Sequence, residues 1–496
     1  MEGVTIVHGR FMMNNSQNRA ILKTGGGMAE NSARIVVAAV LVAGLALTLA
    51  LSWPGHLSYD SIVQLHDGRL GFYHSWHPPV MAWMLGMGDA VLPGAGLFVL
   101  FDALLLFAAL LSLVWIRPRV AWLGVALAAL CLALPQLVLY QAIVWKDVLF
   151  ADAMVAGFIA LAQAEARWAN VKARWALIAG AFALFALAAL TRQNGFVVPL
   201  FGALALALVV WRWQGSKSAA LTASAGLALS LVVVFGANAL LARNSDHGEG
   251  PVTQLRLLRL YDIIGAVKAD PSLPLDRLDA DNSELERLIR TDGVRLYTPT
   301  RNDTLVGSQA LQNELADTPP ELMAAQWTDL VLHHPWLYLK TRAALFRQVV
   351  LTPDIAACRP VFVGVEGPAG EMADLGLKPR LSPRDVALRS YAQAFMGTPV
   401  LSHITFVILA VVLLIVFLAR RAPGDIAFAS MLLSALAFTA SFFVISIACD
   451  YRYLYALDLA AIAGAFYLAL DPRYLFQVFA MWSWSFWLDR SEERKS

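Results

Sequence analysis

Ten stretches of this chain, at 35–53, 95–116, 120–138, 146–164, 175–191, 196–212, 219–241, 398–419, 426–447 and 453–470, are almost wholly apolar and close to twenty residues long. A helix rises about 1.5 Å per residue, so each is near the length that crosses the roughly 30 Å hydrocarbon core of a bilayer. The expected fold is an all-α polytopic membrane protein with about ten transmembrane helices. A further apolar segment, 79–92, is shorter and ends at Pro93-Gly94. It reads as a helix that lies in the interface or dips partway in.

Positive charge orients the bundle. With the N-terminus inside, the inner connections hold Lys23 and Arg34, Arg117 and Arg119, Arg167, Lys172 and Arg174, Arg212 and Lys217, Arg420 and Arg421, and a tail with Arg473, Arg490, Arg494 and Lys495. Every short inner connection is then basic, as the positive-inside rule requires. Counting 79–92 as a full span would reverse Arg117 and everything after it. The expected location is a bacterial inner membrane, with the polar loops facing the periplasm.

Five regions follow. Residues 1–33 read as a disordered cytoplasmic N-terminus, with Met12, Met13 and Met28 as alternative starts and the first span uncleaved. Residues 34–242 form a transmembrane bundle whose first outer loop is 54–78. Residues 243–397 form one extracytoplasmic soluble domain, of ordinary domain size. Residues 398–471 complete the bundle, and 472–496 form a cytoplasmic tail whose Trp/Phe-rich part is amphipathic. Within the soluble domain the sequence DNSELERLIR from Asp281 reads as a helix capped at Asn282 or Ser283, and apolar positions at helical spacing run from Glu321 to Phe346 around His333-His334-Pro335. Of three cysteines, Cys131 lies in an apolar run. Cys358 and Cys449 both fall on the outer side and can pair, although nothing in their spacing requires it. A net charge of +2 gives no global field for nucleic acid, so any electrostatic function is local.

Charge is scarce here, 15% of residues, yet the first outer loop carries Asp60, His66, Asp67, Arg69, His74 and His77. Ionisable groups set against a hydrophobic span usually mark a site. A carboxylate at Asp60, flanked by Tyr59 and Gln64, can take a proton from an attacking hydroxyl; it can also cap a helix over 61–65. His77 precedes Pro78-Pro79, which fix a first helical turn, and serves as a phosphate partner, a metal ligand or a cap. Lys146-Asp147 opens one span, where a lysine can hold a phosphate beside its counter-ion or simply snorkel. Arg192-Gln193-Asn194-Gly195 puts an outer arginine in a tight turn, against the topogenic tendency, so it calls for an anionic partner. Asp450-Tyr451-Arg452-Tyr453 opens the last span, with Tyr453 also fit for an aromatic belt. Lys146, Arg192 and Arg452, at one membrane level, form an expected site for a lipid-borne phosphate.

Tyr59-Asp60 with Gln64, Trp76-His77-Pro78-Pro79, Trp145-Lys146-Asp147, Arg192-Gln193-Asn194-Gly195, His334-Pro335-Trp336-Leu337-Tyr338 and Arg452-Tyr453, taken in this order and on this side, resemble the GT-C superfamily of membrane glycosyltransferases. The likeness is to the branch of protein O-mannosyltransferases, lipid A aminoarabinose transferases and uncharacterised bacterial relatives. It implies transfer of a sugar from a polyprenyl-phosphate donor to an extracytoplasmic acceptor (glycan, lipid or protein), with inversion and with Asp60 as the catalytic carboxylate. Many relatives carry an acidic pair in this loop, whereas Asp60 is followed by Ser61 and the next acid is Asp67, which leaves a divalent metal open. The competing reading is a transporter or flippase for a lipid-linked glycan. Against it stands the lack of an inverted repeat or of paired broken helices. A glycan ligase or polymerase differs from the favoured reading only in its donor.

Overall fold

The computed structural model describes residues 16–246, 249–279 and 283–472. Among these, nine helices are long and apolar enough to cross a membrane: Ser32–Ser52, Gly96–Leu113, Lys146–Ala166, Val171–Thr191, Val197–Gln214, Ser216–Asn244, His403–Arg420, Asp425–Ile445 and Tyr451–Leu470. The span expected over 120–138 is instead a broken pair, Trp122–Leu132 and Pro135–Ala142, bent by 71°. Pro135 accounts for the break, because its ring removes an amide donor and clashes with the carbonyl four residues back. The described secondary structure is helical, with only isolated β-bridges between loops.

The first helix, α1, runs Ser16–Ser52. Residues 16–33, expected as part of a disordered N-terminus, lie within this helix. Residues 1–15, the start of the DNSELERLIR stretch at 280–282 and the amphipathic tail lie outside the described residues. The loop expected over 54–78 and the half-helix expected over 79–92 form a helical hairpin, α2 (Tyr59–Leu70) and α3 (Pro79–Val91). At 13 residues, α3 is about 20 Å long and does not cross. Ser58, not Asp60, precedes α2 in extended geometry; its amide donates to Ser61 Oγ at 3.2 Å. The chain leaves α2 through Gly71 at φ 67°, a left-handed position that favours glycine. α2 and α3 cross in backbone contact, for a Cβ on Gly68 would stand 2.1 Å from the Ala82 carbonyl.

The basic connections gather at one end of the bundle. Arg34 donates to the carbonyls of Arg117 (3.0 Å) and Pro118 (2.7 Å), Arg117 to that of Pro423 (2.6 Å), Arg420 pairs with Asp425 (2.5 Å), and Arg212 with Glu165 (3.3 Å). A reporter fused after Arg117 is therefore expected in the cytoplasm, and one within 250–390 on the opposite side. An outer position for Arg117 in a protease-protection assay contradicts this topology.

The outer segment builds its own core around Leu260, Ile264, Leu288, Leu311, Leu330 and Leu345. The helix expected from Glu321 to Phe346 is two, Pro320–His333 and Pro335–Leu351, parted at His334 because a residue before proline is pushed out of the helical region. Among the links that tie this segment to the bundle, two stand out. Gly364 and Glu366 bond Leu57, at 2.9 Å each, just ahead of α2. A disulfide joins Cys358 to Cys449, beside the last span. Such bonds persist in oxidising compartments.

Candidate functional site

Asp60 sits in the first turn of α2 and projects between two other parts of the chain. Its Oδ2 lies 2.6 Å from Arg452 Nη2, and its Oδ1 lies 3.8 Å from His77 Nε2. Gln64, one turn on, donates to the Asp60 carbonyl at 3.1 Å and steadies that turn. His77 is carried by the Pro78-Pro79 start of α3, and Lys146 Nζ donates to its Nδ1 at 2.9 Å. Asp147, buried in the first turn of its helix, forms an ion pair with Arg192 and stands 3.9 Å from Arg452 Nε.

Arg452 is the hub. It reaches Asp60, Asp147 and Asp450 (3.5 Å), and its guanidinium lies 5.2 Å from the Trp145 ring. Trp145 is fixed in turn by an indole N–H donated to Ser58 Oγ at 2.9 Å. Arg192 lies against the rings of Phe442 (5.3 Å), Tyr453 (5.4 Å) and Phe438 (5.7 Å). Aromatic faces attract a guanidinium by their quadrupole and keep water from it.

Of the residues singled out from the sequence, Asp60, Gln64, His77, Lys146, Asp147, Arg192, Asp450, Arg452 and Tyr453 are brought together. Others are not. His74 bonds Asp67 through ring and backbone, at 2.8 and 3.1 Å. Asn194 donates to Ser441 Oγ at 2.8 Å, away from the carboxylates. Tyr59 is 63% exposed and Trp336, of the His334-Pro335 stretch, 82%. Arg301, which no motif marks, reaches from the 243–397 segment to Asp450 at 3.5 Å.

A cavity of about 570 Å³ opens beside His77 and Arg192, walled by Pro78, Pro79, Leu190, Phe196 and Pro251. It pairs a charged rim with an apolar wall. That suits a ligand with an anionic head and a hydrocarbon tail.

Burial works to raise the Asp60 carboxyl, but Arg452 and then His77 outweigh it and hold the group well below the usual carboxylate range. Burial, reinforced by Lys146, lowers the His77 imidazole to about 4 against the opposing pull of Asp60. At neutral pH Asp60 is ionised and His77 neutral.

The residues do not fit a divalent cation. Ser61, at the place of a second acid, donates to the Val144 carbonyl at 2.5 Å; Asp67 is held by His74, and Asp147 faces two guanidinium groups. No cluster of three or more His, Cys, Asp or Glu side chains suited to a metal occurs among the described residues.

No protein-family model matches the chain, and no curated protein sequence matches it. Among solved structures it is similar to the Archaeoglobus fulgidus oligosaccharyltransferase in complex with Zn and sulfate, at TM-score 0.39 and 13% identity, covering 89% of this chain and 50% of that one. The archaeal oligosaccharyltransferase AglB from the same organism, in complex with an inhibitory peptide and a dolichol-phosphate, aligns at TM-score 0.38 and 14% identity, over 89% of this chain and 51% of that one. The chain spans about half the length of these structures.

Proposed function

We propose that this integral membrane protein is a glycosyltransferase that moves a sugar from a polyprenyl-phosphate donor to an extracytoplasmic acceptor. The observation that carries this reading is the convergence of Asp60, His77, Lys146, Arg192 and Arg452, drawn from distant parts of the chain, at the rim of an apolar-walled cavity. Each has a task in such a transfer. The cavity takes the start of the prenyl tail, and Lys146, Arg192 and Arg452 meet the phosphate. As the bond from the sugar C1 to the phosphate oxygen breaks, charge builds on the phosphate, and preorganised cations stabilise it more as it grows.

Asp60 is the general base. Paired with Arg452 it is a weak one, so the phosphate has to draw part of that guanidinium to itself before the carboxylate can accept the acceptor's proton. Donor binding and base activation are thereby linked. Among the described residues the cluster's other carboxylates, Asp147 and Asp450, face arginines rather than the His77 side of the site, and Asp60 as the one base supports inversion.

Purified protein is expected to release polyprenyl phosphate from polyprenyl-phosphate sugars supplied as a panel. A flippase moves such lipids without breaking the bond, so movement without release favours that reading. The pH profile adds a second test, since kcat/KM reports groups of the free enzyme. Both depressed groups, Asp60 and His77, keep their neutral-pH state until pH falls through their lowered values. kcat/KM is therefore expected to stay flat from neutrality down to about pH 5 and to fall only towards His77's value of about 4. An acid limb centred near pH 6 contradicts the geometry around His77.

A further inference from the structure

Three cations and three carboxylates make up the cluster, but they are not paired evenly. Arg452 is held by Asp60, and Arg192 by Asp147. Among the described residues Lys146 has no carboxylate within 4 Å; its ammonium is donated to His77 Nδ1 at 2.9 Å. With Lys146 as an ammonium, which has only donors, Nδ1 offers its lone pair and the ring proton is assigned to Nε2, 3.8 Å from Asp60 Oδ1. Lys146 thus sets the tautomer of His77 and blocks the one nitrogen that can accept a proton.

An incoming phosphate changes this. It binds an ammonium more strongly than a neutral imidazole does, so Lys146 turns to it and Nδ1 becomes free. We infer that His77 takes up a proton at Nδ1 when a phosphate monoester dianion occupies the site, and so supplies a second cation to it. The groups that face His77 are Asp60 on α2, Lys146 on its helix, Arg452 beside Asp60, and Arg192 across the cavity. Arg192 and Arg452 reach the phosphate while still facing Asp147, Asp60 and Asp450, so their charge is shared and a dianion stays incompletely neutralised. Burial holds the ring neutral otherwise, so the proton arrives only with the anion.

This inference rests on the proposed function for its choice of ligand. A sugar-bearing donor is a phosphodiester with one charge, which the same cations match without His77. The lipid released is a monoester with two. In the same turnover the acceptor hydroxyl loses one proton, as its oxygen bonds the sugar C1 and the bond from C1 to the phosphate oxygen breaks. Asp60 takes that proton and returns it to solvent, and the proton that His77 takes up from solvent at Nδ1 balances the charge the phosphate gains.

The test is calorimetric titration of the purified full-length protein with polyprenyl monophosphate at pH 7.5, in buffers of different ionisation enthalpy. Above a second phosphate pKa of about 6 the free lipid is already a dianion, so any proton taken up goes to the protein. Wild type is expected to take up about one proton per lipid bound, with affinity weakening towards tenfold per pH unit above neutrality. His77→Gln is expected to bind without uptake and with a flat pH dependence, while Asp67→Asn, at a carboxylate held by His74, keeps the uptake. Binding by wild type with no proton uptake overturns the inference, as does full uptake by His77→Gln. Should the variant fail to fold, 15N NMR of the wild-type histidine rings decides, since uptake that leaves every imidazole neutral overturns the inference. If wild type does not bind polyprenyl monophosphate at all, the proposed function falls instead.

Discussion

Replacing Asp60 by asparagine is expected to slow sugar transfer at least about a hundredfold while leaving the lipid donor bound, because general-base catalysis is commonly worth about 10²–10⁴-fold. Asparagine keeps the size of the side chain and loses the proton acceptor. A capping role for Asp60 would make the change harmless, since asparagine caps as well as aspartate. That explanation is removed by Ser58, which precedes α2 while the Asp60 carboxylate points to Arg452. Asp67→Asn is the comparison. Asp67 is occupied with His74, so its loss should cost well under about tenfold, in the range of a lost hydrogen bond outside the reacting groups. Near-normal turnover by purified Asp60→Asn would take this residue out of the mechanism and favour a transporter.

The second large effect belongs to Arg452. Arg452→Gln should lower the rate by about 10²–10³-fold, comparable to removing a preorganised donor aimed at developing charge. The loss has two sources. The phosphate loses a cation, and Asp60, Asp147 and Asp450 each lose a partner, which is costly for buried carboxylates. Arg452→Lys should rescue little, because an ammonium cannot fork between several carboxylates while lying flat on the Trp145 ring. Combined with Asp60→Asn, the Arg452 change should be strongly non-additive, with a coupling of about 0.5–3 kcal/mol. Additive losses in the double variant would mean that the two residues act apart. Lys146→Gln and Arg192→Gln provide the contrast, with weakened use of the donor as their main defect.

Much of this arrangement was legible in the sequence, for a physical reason. Apolar runs of fixed length must be spans, and basic residues between them set their sides, so the outer connections carrying Asp60, Lys146, Arg192 and Arg452 could be placed on one face without knowing any contact. What hydropathy cannot say is which polar group meets which. His74 and His77 are three residues apart and equally plausible on paper. The turn into Pro78-Pro79 sends one to Lys146, while the other stays on Asp67. Asn194 was read with Arg192, but the tight turn faces it towards Ser441. Arg301 carries no local mark, because its role depends on how the outer segment docks on the last span. The bend at Pro135 was the reverse case, since the proline was in view and the apolar run around it masked its effect. The bridge between Cys358 and Cys449 needed the fold as well. Topology put both cysteines on the outer side, but only the packing of the outer segment brings them together.

The central claim is that these cations and this cavity hold a lipid phosphate next to Asp60. It is tested most directly by a cryo-EM structure of the protein in lipid nanodiscs with polyprenyl monophosphate added. The expected result is phosphate density between Lys146 and the two arginines, with the first prenyl units running along Pro79, Leu190 and Phe196. Density for the phosphate at the opposite end of the bundle, beside Arg117 and Arg420, with the Asp60–Arg452 pair unchanged, would contradict it.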